Sequence, residues 1–208
     1  MRILDVVRNS MNLLLFSVLF LTACTNSGVE NRPSIHQADT QVPNIDTGSF
    51  QPYKHHLFTT SNGRLAYKTL DNSEPSKPED RFLTSINTDT LNNEQKEELS
   101  QVLDTASFVH VGDLYYKDKK HVYYHHQRMD GGTFFIVWEA DPKSFHVLDS
   151  SYYAKDSRCV FSRGGLLKGA DSKTFRVVAQ TNKEVYQWTA KDKHHNYKGA
   201  EIINDEEL

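Results

Sequence analysis

Apolar residues are distributed along this chain in three ways. Leu13 to Leu21, LLLFSVLFL, is a run of nine apolar or small residues. A membrane-crossing helix needs roughly 20 such residues, so the run is too short to span a bilayer. Residues 25–52 hold few apolar side chains and show no period; that pattern predicts a flexible tether. With about 28 residues, its root-mean-square reach is roughly 30 Å. From Tyr53 onward the pattern is that of short strands. Leu57–Thr60 and Arg64–Leu70 flank Ser61-Asn62-Gly63, and Asn-Gly supplies the positive φ angles of a tight hairpin. Residues 71–80 carry two prolines and predict a loop; residues 81–87 predict a further strand. Residues 92–104 predict the one short helix, with Asn92 or Asn93 as cap, acids in the first turn and an apolar stripe of Leu99, Val102 and Leu103.

Residues 113–200 repeat themselves. Tyr115-Tyr116-Lys117-Asp118 and His121-Val122-Tyr123-Tyr124 correspond to Tyr153-Ala154-Lys155-Asp156 and Cys159-Val160-Phe161. A third copy is Thr189-Ala190-Lys191-Asp192 with His195-Asn196-Tyr197. The Lys-Asp pairs are 156 − 118 = 38 and 192 − 156 = 36 residues apart. A second block recurs as Ala140-Asp141-Pro142-Lys143-Ser144-Phe145 and Ala170-Asp171-Ser172-Lys173-Thr174-Phe175, with a truncated echo at Gly199-Ala200-Glu201. Aromatic and β-branched residues flank polar turns, so each unit predicts two or three antiparallel strands, with Val122 and Tyr124 facing one way and Tyr123 the other. Asp118 and Asp156 serve the same turn and are expected to be structural. One unit cannot bury its apolar face alone; neighbours must do so. These blocks, in this order, resemble those of the DKNYY family of bacterial exported proteins. A faint further copy lies in Phe58–Tyr67, with Ser61 in place of Asp, and the third unit has the look of a degraded cap. The resemblance implies no molecular activity. The resulting fold class is mainly β: tandem antiparallel hairpin or meander repeats with one short helix, after a signal peptide and flexible tether.

Around the N-terminal run, Arg2 and Arg8 stand against Asp5 and Leu21-Thr22-Ala23-Cys24 follows. This stretch resembles the lipobox of bacterial lipoproteins. That resemblance implies a signal peptide over 1–23, cleavage before Cys24, and acylation of the Cys24 thiol and amine. It gives a tether over 24–52, a β-rich segment with one helix over 53–112, and a repeat region over 113–208. Each buried CH₂ of the acyl chains contributes about 0.8 kcal/mol, so several chains anchor durably. Thr25, rather than Asp, in second place resembles the pattern sent to the outer membrane, facing the periplasm. The sequence holds two cysteines. If Cys24 is a thioether, Cys159 has no partner within the chain, and the core is expected to hold without an intramolecular disulfide.

Composition narrows the partners. The chain has 24 basic and 27 acidic residues among 208, a net charge of −3, which excludes a broad electrostatic nucleic-acid binder. No Gly-x-Ser-x-Gly, His-Glu-x-x-His, Walker loop or Gly-x-Gly-x-x-Gly occurs, so no catalytic residue and no cofactor is assigned. The adjacent pairs His55-His56, His125-His126 and His194-His195 point to opposite faces where they lie in strands. His121, Cys159 and His195 occupy the same slot of three units and form a weak metal candidate set. The first unit is eight residues longer than the second between its Lys-Asp pair and its Ala-Asp block (22 − 14 = 8). The excess falls around Asp130-Gly131-Gly132 and predicts a projecting hairpin, with Tyr123, Tyr124, Phe134, Phe135 and Trp138 as binding candidates for a sugar or a peptide edge. The sequence thus describes a lipid-anchored envelope protein, either a non-catalytic scaffold or binding module, or a small-ligand, glycan or metal binder. Its expected partners are the membrane, through the lipid, and an envelope protein or glycan.

Overall fold

A computed structural model describes residues 50–88, 95–182 and 187–204. The signal segment, the acylation site and nearly all of the tether lie outside them. Among the described residues the chain forms four antiparallel-dominated sheets in succession. The first holds β1 (Gln51–Lys54), β2 (Leu57–Thr59), β3 (Leu65–Asp71) and β4 (Glu79–Leu83) in that order. The second uses β5 (Ser85–Asn87), β6 (Lys96–Glu98), the single turn of α1 (Leu99–Val102), β7 (Val109–Gly112), β8 (Tyr115–Lys117), β9 (Val122–His126) and β10 (Thr133–Ile136). Its strand order is β6-β5-β10-β9-β8-β7, with β5 and β10 parallel. The third is β11 (His146–Val147), β12 (Tyr153–Lys155), β13 (Val160–Ser162) and β14 (Gly165–Leu166); the fourth is β15 (Arg176–Asn182), β16 (Gln187–Lys191), β17 (Asn196–Lys198) and β18 (Glu201–Ile203).

The expected β-rich architecture with one short helix is therefore present, and the Asn62-Gly63 hairpin joins β2 to β3 with Gly63 at φ 81°. The helix is shorter than the 92–104 span. Lys96–Glu98 is strand, paired with β5, and helix begins only at Leu99. Three charged residues that read as a first helical turn instead cover a sheet edge. Only the stripe of Leu99, Val102 and Leu103 behaves as expected, buried in the first core.

Alternation of side chains along each strand builds three cores between the four sheets. Tyr116, Tyr123, Phe134 and Ile136 of the second sheet meet Leu57, Leu65 and Tyr67 of the first. The opposite face of the second sheet, with Tyr115, Val122, Tyr124 and Phe135, meets Ala154 and Phe161 of the third. The far face of the third, with Tyr153 and Val160, meets Ala190 and Tyr197 of the fourth. Val122 and Tyr124 thus face away from Tyr123, as the period of two requires. Neighbouring sheets are pinned by buried phenols. The Tyr115 hydroxyl accepts from Gly164 N at 2.7 Å and donates to Tyr152 O at 3.3 Å. The Tyr152 hydroxyl accepts from Trp188 N at 2.9 Å and donates to Trp188 O at 3.0 Å. Gly164 is the close approach that permits this: a Cβ there would lie 2.6 Å from Phe135 and 2.8 Å from Tyr124. The array ends on the fourth sheet. Thr189 and Asn196 stand where the third sheet has Tyr153 and Val160. Thr189 is buried, and the columns of the two residues carry Arg176, Lys191, Lys198 and Glu201 beside Ala179 and Ile203. A largely polar outer face of this kind suits the end of a repeat array.

The repeated charges are spent on turns. Asp118 Oδ1 accepts from Lys120 N and His121 N at 2.7 and 2.8 Å; its Oδ2 accepts from Asp104 N at 2.8 Å and the Tyr123 hydroxyl at 2.7 Å. Asp156 accepts from Arg158 N, Cys159 N and Asp141 N, each at 2.7 Å. Asp192 accepts from His194 N and Asp171 N at 2.7 Å, from His195 N at 2.8 Å and from the Tyr197 hydroxyl at 2.9 Å. Each carboxylate therefore ties its own hairpin turn to the turn before it. Asp104, Asp141 and Asp171 open those preceding turns, and Phe108, Phe145 and Phe175 close them as buried anchors. Asp104-Thr105-Ala106-Ser107-Phe108 is thus a further copy of the second block. Sequence reading missed it because Leu103 replaces the preceding Ala. Lys117 and Lys155 clasp the turn that follows: Lys117 Nζ donates to Pro142 O and Phe145 O at 2.9 and 3.0 Å, and Lys155 Nζ to Ser172 O and Phe175 O at 2.9 and 3.1 Å.

One polar string crosses the first core. His125 Nε2 lies 2.9 Å from Gly131 O, which can only accept, so Nε2 carries the proton. Nδ1 is left to accept from the Tyr67 hydroxyl at 3.4 Å, and Tyr67 accepts from the Tyr116 hydroxyl at 3.0 Å. Burial holds the His125 ring below the usual imidazole range, against the Gly131 carbonyl, which favours the cation; His126 and His56 add to the depression. Among the turn carboxyls, the Ser107 hydroxyl holds Asp104 low, the Ser144 hydroxyl holds Asp141 low, and Lys193 draws Asp171 down to about 2. Burial pushes Asp192 up, but its backbone donors and the Tyr197 hydroxyl outweigh that and leave it low.

Two measurements check this bonding. Asp156→Ala strips the acceptor from three N–H groups, at about 1 kcal/mol each. It should lower the melting temperature by roughly 6–12 °C for a domain of this size. Asp118→Ala, which also orphans the buried Tyr123 hydroxyl, should cost at least as much. Stability should also decline in two stages on acidification. His125 has a depressed folded pKa, so the unfolded chain takes up its proton first; stability falls as pH drops below about 6.5 and levels off below the folded value. Asp104, Asp141, Asp171 and Asp192 contribute stability that is complete above about pH 4 and is lost as pH falls through their depressed values. Thermal melts from neutral pH to about pH 2 should resolve both stages, and His125→Gln should erase only the upper one.

Candidate functional site: a groove beside a bulged strand

The binding candidates read from the sequence separate in the structure. Tyr123, Tyr124, Phe134 and Phe135 are buried at 0, 4, 1 and 4% exposure in the first two cores. They are packing residues and offer no contact surface, because both faces of the second sheet are covered. Trp138 alone is exposed, at 43%, with its indole N–H donating to Thr88 O at 2.9 Å. The hairpin of Asp130-Gly131-Gly132 does not project as expected. Its tip lies on the first sheet: Thr69 Oγ1 donates to Gly131 O at 3.0 Å, Asn72 N to Met129 O at 2.6 Å, and Arg81 to Asp130 O. The eight extra residues reach back to couple the first two sheets.

The metal candidates are not gathered into one site. His121 sits edge-on to Trp138, with ring centroids 5.5 Å apart; Cys159 is buried in the second core; His195 is exposed beside Tyr197. Among the described residues, no three His, Cys, Asp or Glu side chains are grouped to hold a metal ion. The expectation that Cys159 has no partner turns on Cys24, the other cysteine of the chain, which lies outside the described residues. Among the described residues no helix is long and apolar enough to cross a membrane.

The structure instead presents a surface groove of about 480 Å³ on the first sheet. Its geometry begins with a slip in register. Pro52 pairs with Phe58, but Lys54 pairs with Leu57, so Tyr53 is an extra residue on β1. A bulge of this kind bends the strand and re-aims one side chain. Tyr53 accordingly stands 50% exposed. The connection to β2 is a two-residue turn, His55 and His56, at φ 47° and 65°, the left-handed pair that a tight hairpin demands. Both residues are exposed; the His55 ring lies 6.5 Å from that of Phe108 and the His56 ring 6.1 Å from that of Tyr67. Phe58 lines the groove; behind it, Phe58 meets Phe82 edge-on at 5.2 Å, and Phe50 stacks on Phe82 at 5.0 Å. Lys68 Nζ lies 5.6 Å from the Phe58 ring centre and pairs with Asp80 at 2.6 Å. Nothing but the His55-His56 pair marked this region in the sequence. A bulge is a slip in pairing, and composition carries no sign of it.

No curated protein and no solved structure matches the chain. The DKNYY family model matches residues 29–201, which is 201 − 29 + 1 = 173 of the 208 positions. The paired Lys-Asp turns and the Asp-x-x-Ser/Thr-Phe turns between them are the structural content of that match, and the chain belongs to the DKNYY family.

Proposed function

We propose that the protein is a non-catalytic binding module of the bacterial cell envelope, anchored by lipid on Cys24 and facing the periplasm from the outer membrane. The observation that carries the non-catalytic reading is the use made of the repeated polar side chains. Asp118, Asp156 and Asp192 accept three or four donors each, and Lys117 and Lys155 donate to two carbonyls each. Side chains bound in this way are fixed scaffold. Contact with a partner then falls to what is not repeated, chiefly the first sheet and its groove. The anchor rests on the short apolar run before Leu21-Thr22-Ala23-Cys24, and the tether that follows would hold the sheets roughly 30 Å from the membrane.

With two cysteines in the sequence, a thioether at Cys24 and an intramolecular bond from Cys159 exclude one another. Mass spectrometry of the protein from membranes decides between them. The expected result is an N-terminus at Cys24 carrying diacylglycerol, a larger precursor when lipoprotein signal cleavage is blocked, and loss of the lipid in Cys24→Ala. A mature N-terminus at any other residue, or a Cys24–Cys159 disulfide in membrane-extracted protein, would overturn the anchor.

A further inference from the structure

We propose that the groove beside Tyr53 is a carbohydrate site, taking an extended, uncharged oligosaccharide across the outer face of the first sheet. The inference rests on the binding-module reading and names its ligand class. Three features of the groove select that class. The bulge turns the Tyr53 ring out of the sheet, half exposed and fixed by a short strand. A flat aromatic face with partial negative charge attracts the polarised C–H face of a pyranose ring. Lys68 and Asp80, paired at 2.6 Å with side chains 35 and 53% exposed, set ammonium donors beside carboxylate acceptors at the groove wall. A hydroxyl both donates and accepts, so such a pair suits it. The two charges cancel, and the one further charge of the lining, Lys54, turns its ammonium to Ala106 O at 3.5 Å, so no cluster of cations faces the groove to hold an anion.

The same features disfavour a peptide. β1 is an edge strand, and a peptide would bind by adding to its ladder. The bulge at Tyr53 breaks that ladder, and Pro52 offers no N–H. Side chains, not backbone, must therefore read the ligand. The volume of about 480 Å³ lies within the range of small-molecule sites, roughly 300–1,000 Å³. The groove's position over strands, rather than inside a core, leaves both ends of a chain-like sugar free to continue.

Calorimetric titration of the full-length purified protein with chitotetraose and cellotetraose tests this. The expected result is saturable binding of at least one of them, weakened at least tenfold by Tyr53→Ala and several-fold by Asp80→Asn, with the melting temperature of each variant within a degree or two of the parent because both side chains are half exposed. Trp138→Ala, at the other exposed aromatic among the described residues, should leave binding unchanged. No binding of either sugar overturns the inference. So does binding that survives Tyr53→Ala, or that is lost in Trp138→Ala instead. Capture of an envelope protein by the anchored chain, with no sugar bound, would remove the carbohydrate site and leave the binding-module reading standing.

Discussion

A carboxylate shared between two turns is the interaction on which this structure depends. Most strands of the third and fourth sheets are three residues long or close to it, so each hairpin has few ladder bonds. Its turn exposes several backbone N–H groups at the edge of a buried layer, where water does not easily serve them. Asp118, Asp156 and Asp192 answer both needs. One oxygen caps the turn of its own hairpin, and the other takes the first N–H of the turn before, 14, 15 and 21 residues upstream. In the first two units the preceding lysine, Lys117 or Lys155, reaches forward to the carbonyls of the next turn. Those Lys-Asp pairs thus bond backward through the acid and forward through the base. This explains why the two residues are adjacent and why they recur together.

The variation among copies follows from the same geometry. Tyr123 and Tyr197 donate to the carboxylates of their own units. Phe161 holds that position in the middle unit and gives Asp156 one donor fewer. Phe161 lies fully buried in the second core, so the middle unit exchanges a hydrogen bond for a wholly apolar contact. In the last unit, Thr189 and Asn196 replace the Tyr and Val that would face a further sheet. Large apolar residues there would demand a neighbouring sheet; the smaller Thr189 is buried with its hydroxyl donating to Ala179 O, and Asn196 is half-buried.

Much of this was legible because it recurs. The period fixed the hairpins, the alternation of Val122, Tyr123 and Tyr124 fixed the faces, and the place of Asp118 and Asp156 in equivalent turns marked them as structural. What recurs only loosely was lost. Asp104–Phe108 performs the task of the second block without its flanking Ala. Lys96–Glu98 has a helical composition, yet β5 offers unpaired backbone, and long-range pairing overrides local propensity over three residues. The Asp130-Gly131-Gly132 hairpin has the composition of a free tip. It lies against Thr69 and Arg81 because Gly132, at φ 74°, allows a turn so tight that a Cβ there would overlap His126 O. Contacts of this kind join residues some 60 positions apart, and no local pattern records them.

The first sheet shows what the clasp constrains by doing without it. Its hairpin has Ser61 where the other units have Asp, and Thr60 Oγ1 accepts from Arg64 N at 3.0 Å in place of a carboxylate. Arg64 then fastens the sheet through its side chain, to Glu98 at 3.2 Å and Thr84 at 3.3 Å. A turn held by a side chain from its own hairpin leaves the neighbouring turn free of register with it. Here the backbone takes a bulge and a left-handed His-His turn within four residues. In the repeats, a bulge between β12 and β13 would shift Asp156 out of reach of Asp141 N and break the link to the preceding turn. Among the described hairpins, register slips fall on β1–β2, β7–β8 and β15–β16, and none falls on β8–β9, β12–β13 or β16–β17, whose turns hold the shared carboxylates. The outer faces at the two ends of the array differ accordingly. The fourth sheet ends in charge and amide. The first ends in half-buried Phe58 and Phe82 over the buried Phe50, with Lys68 across the Phe58 ring.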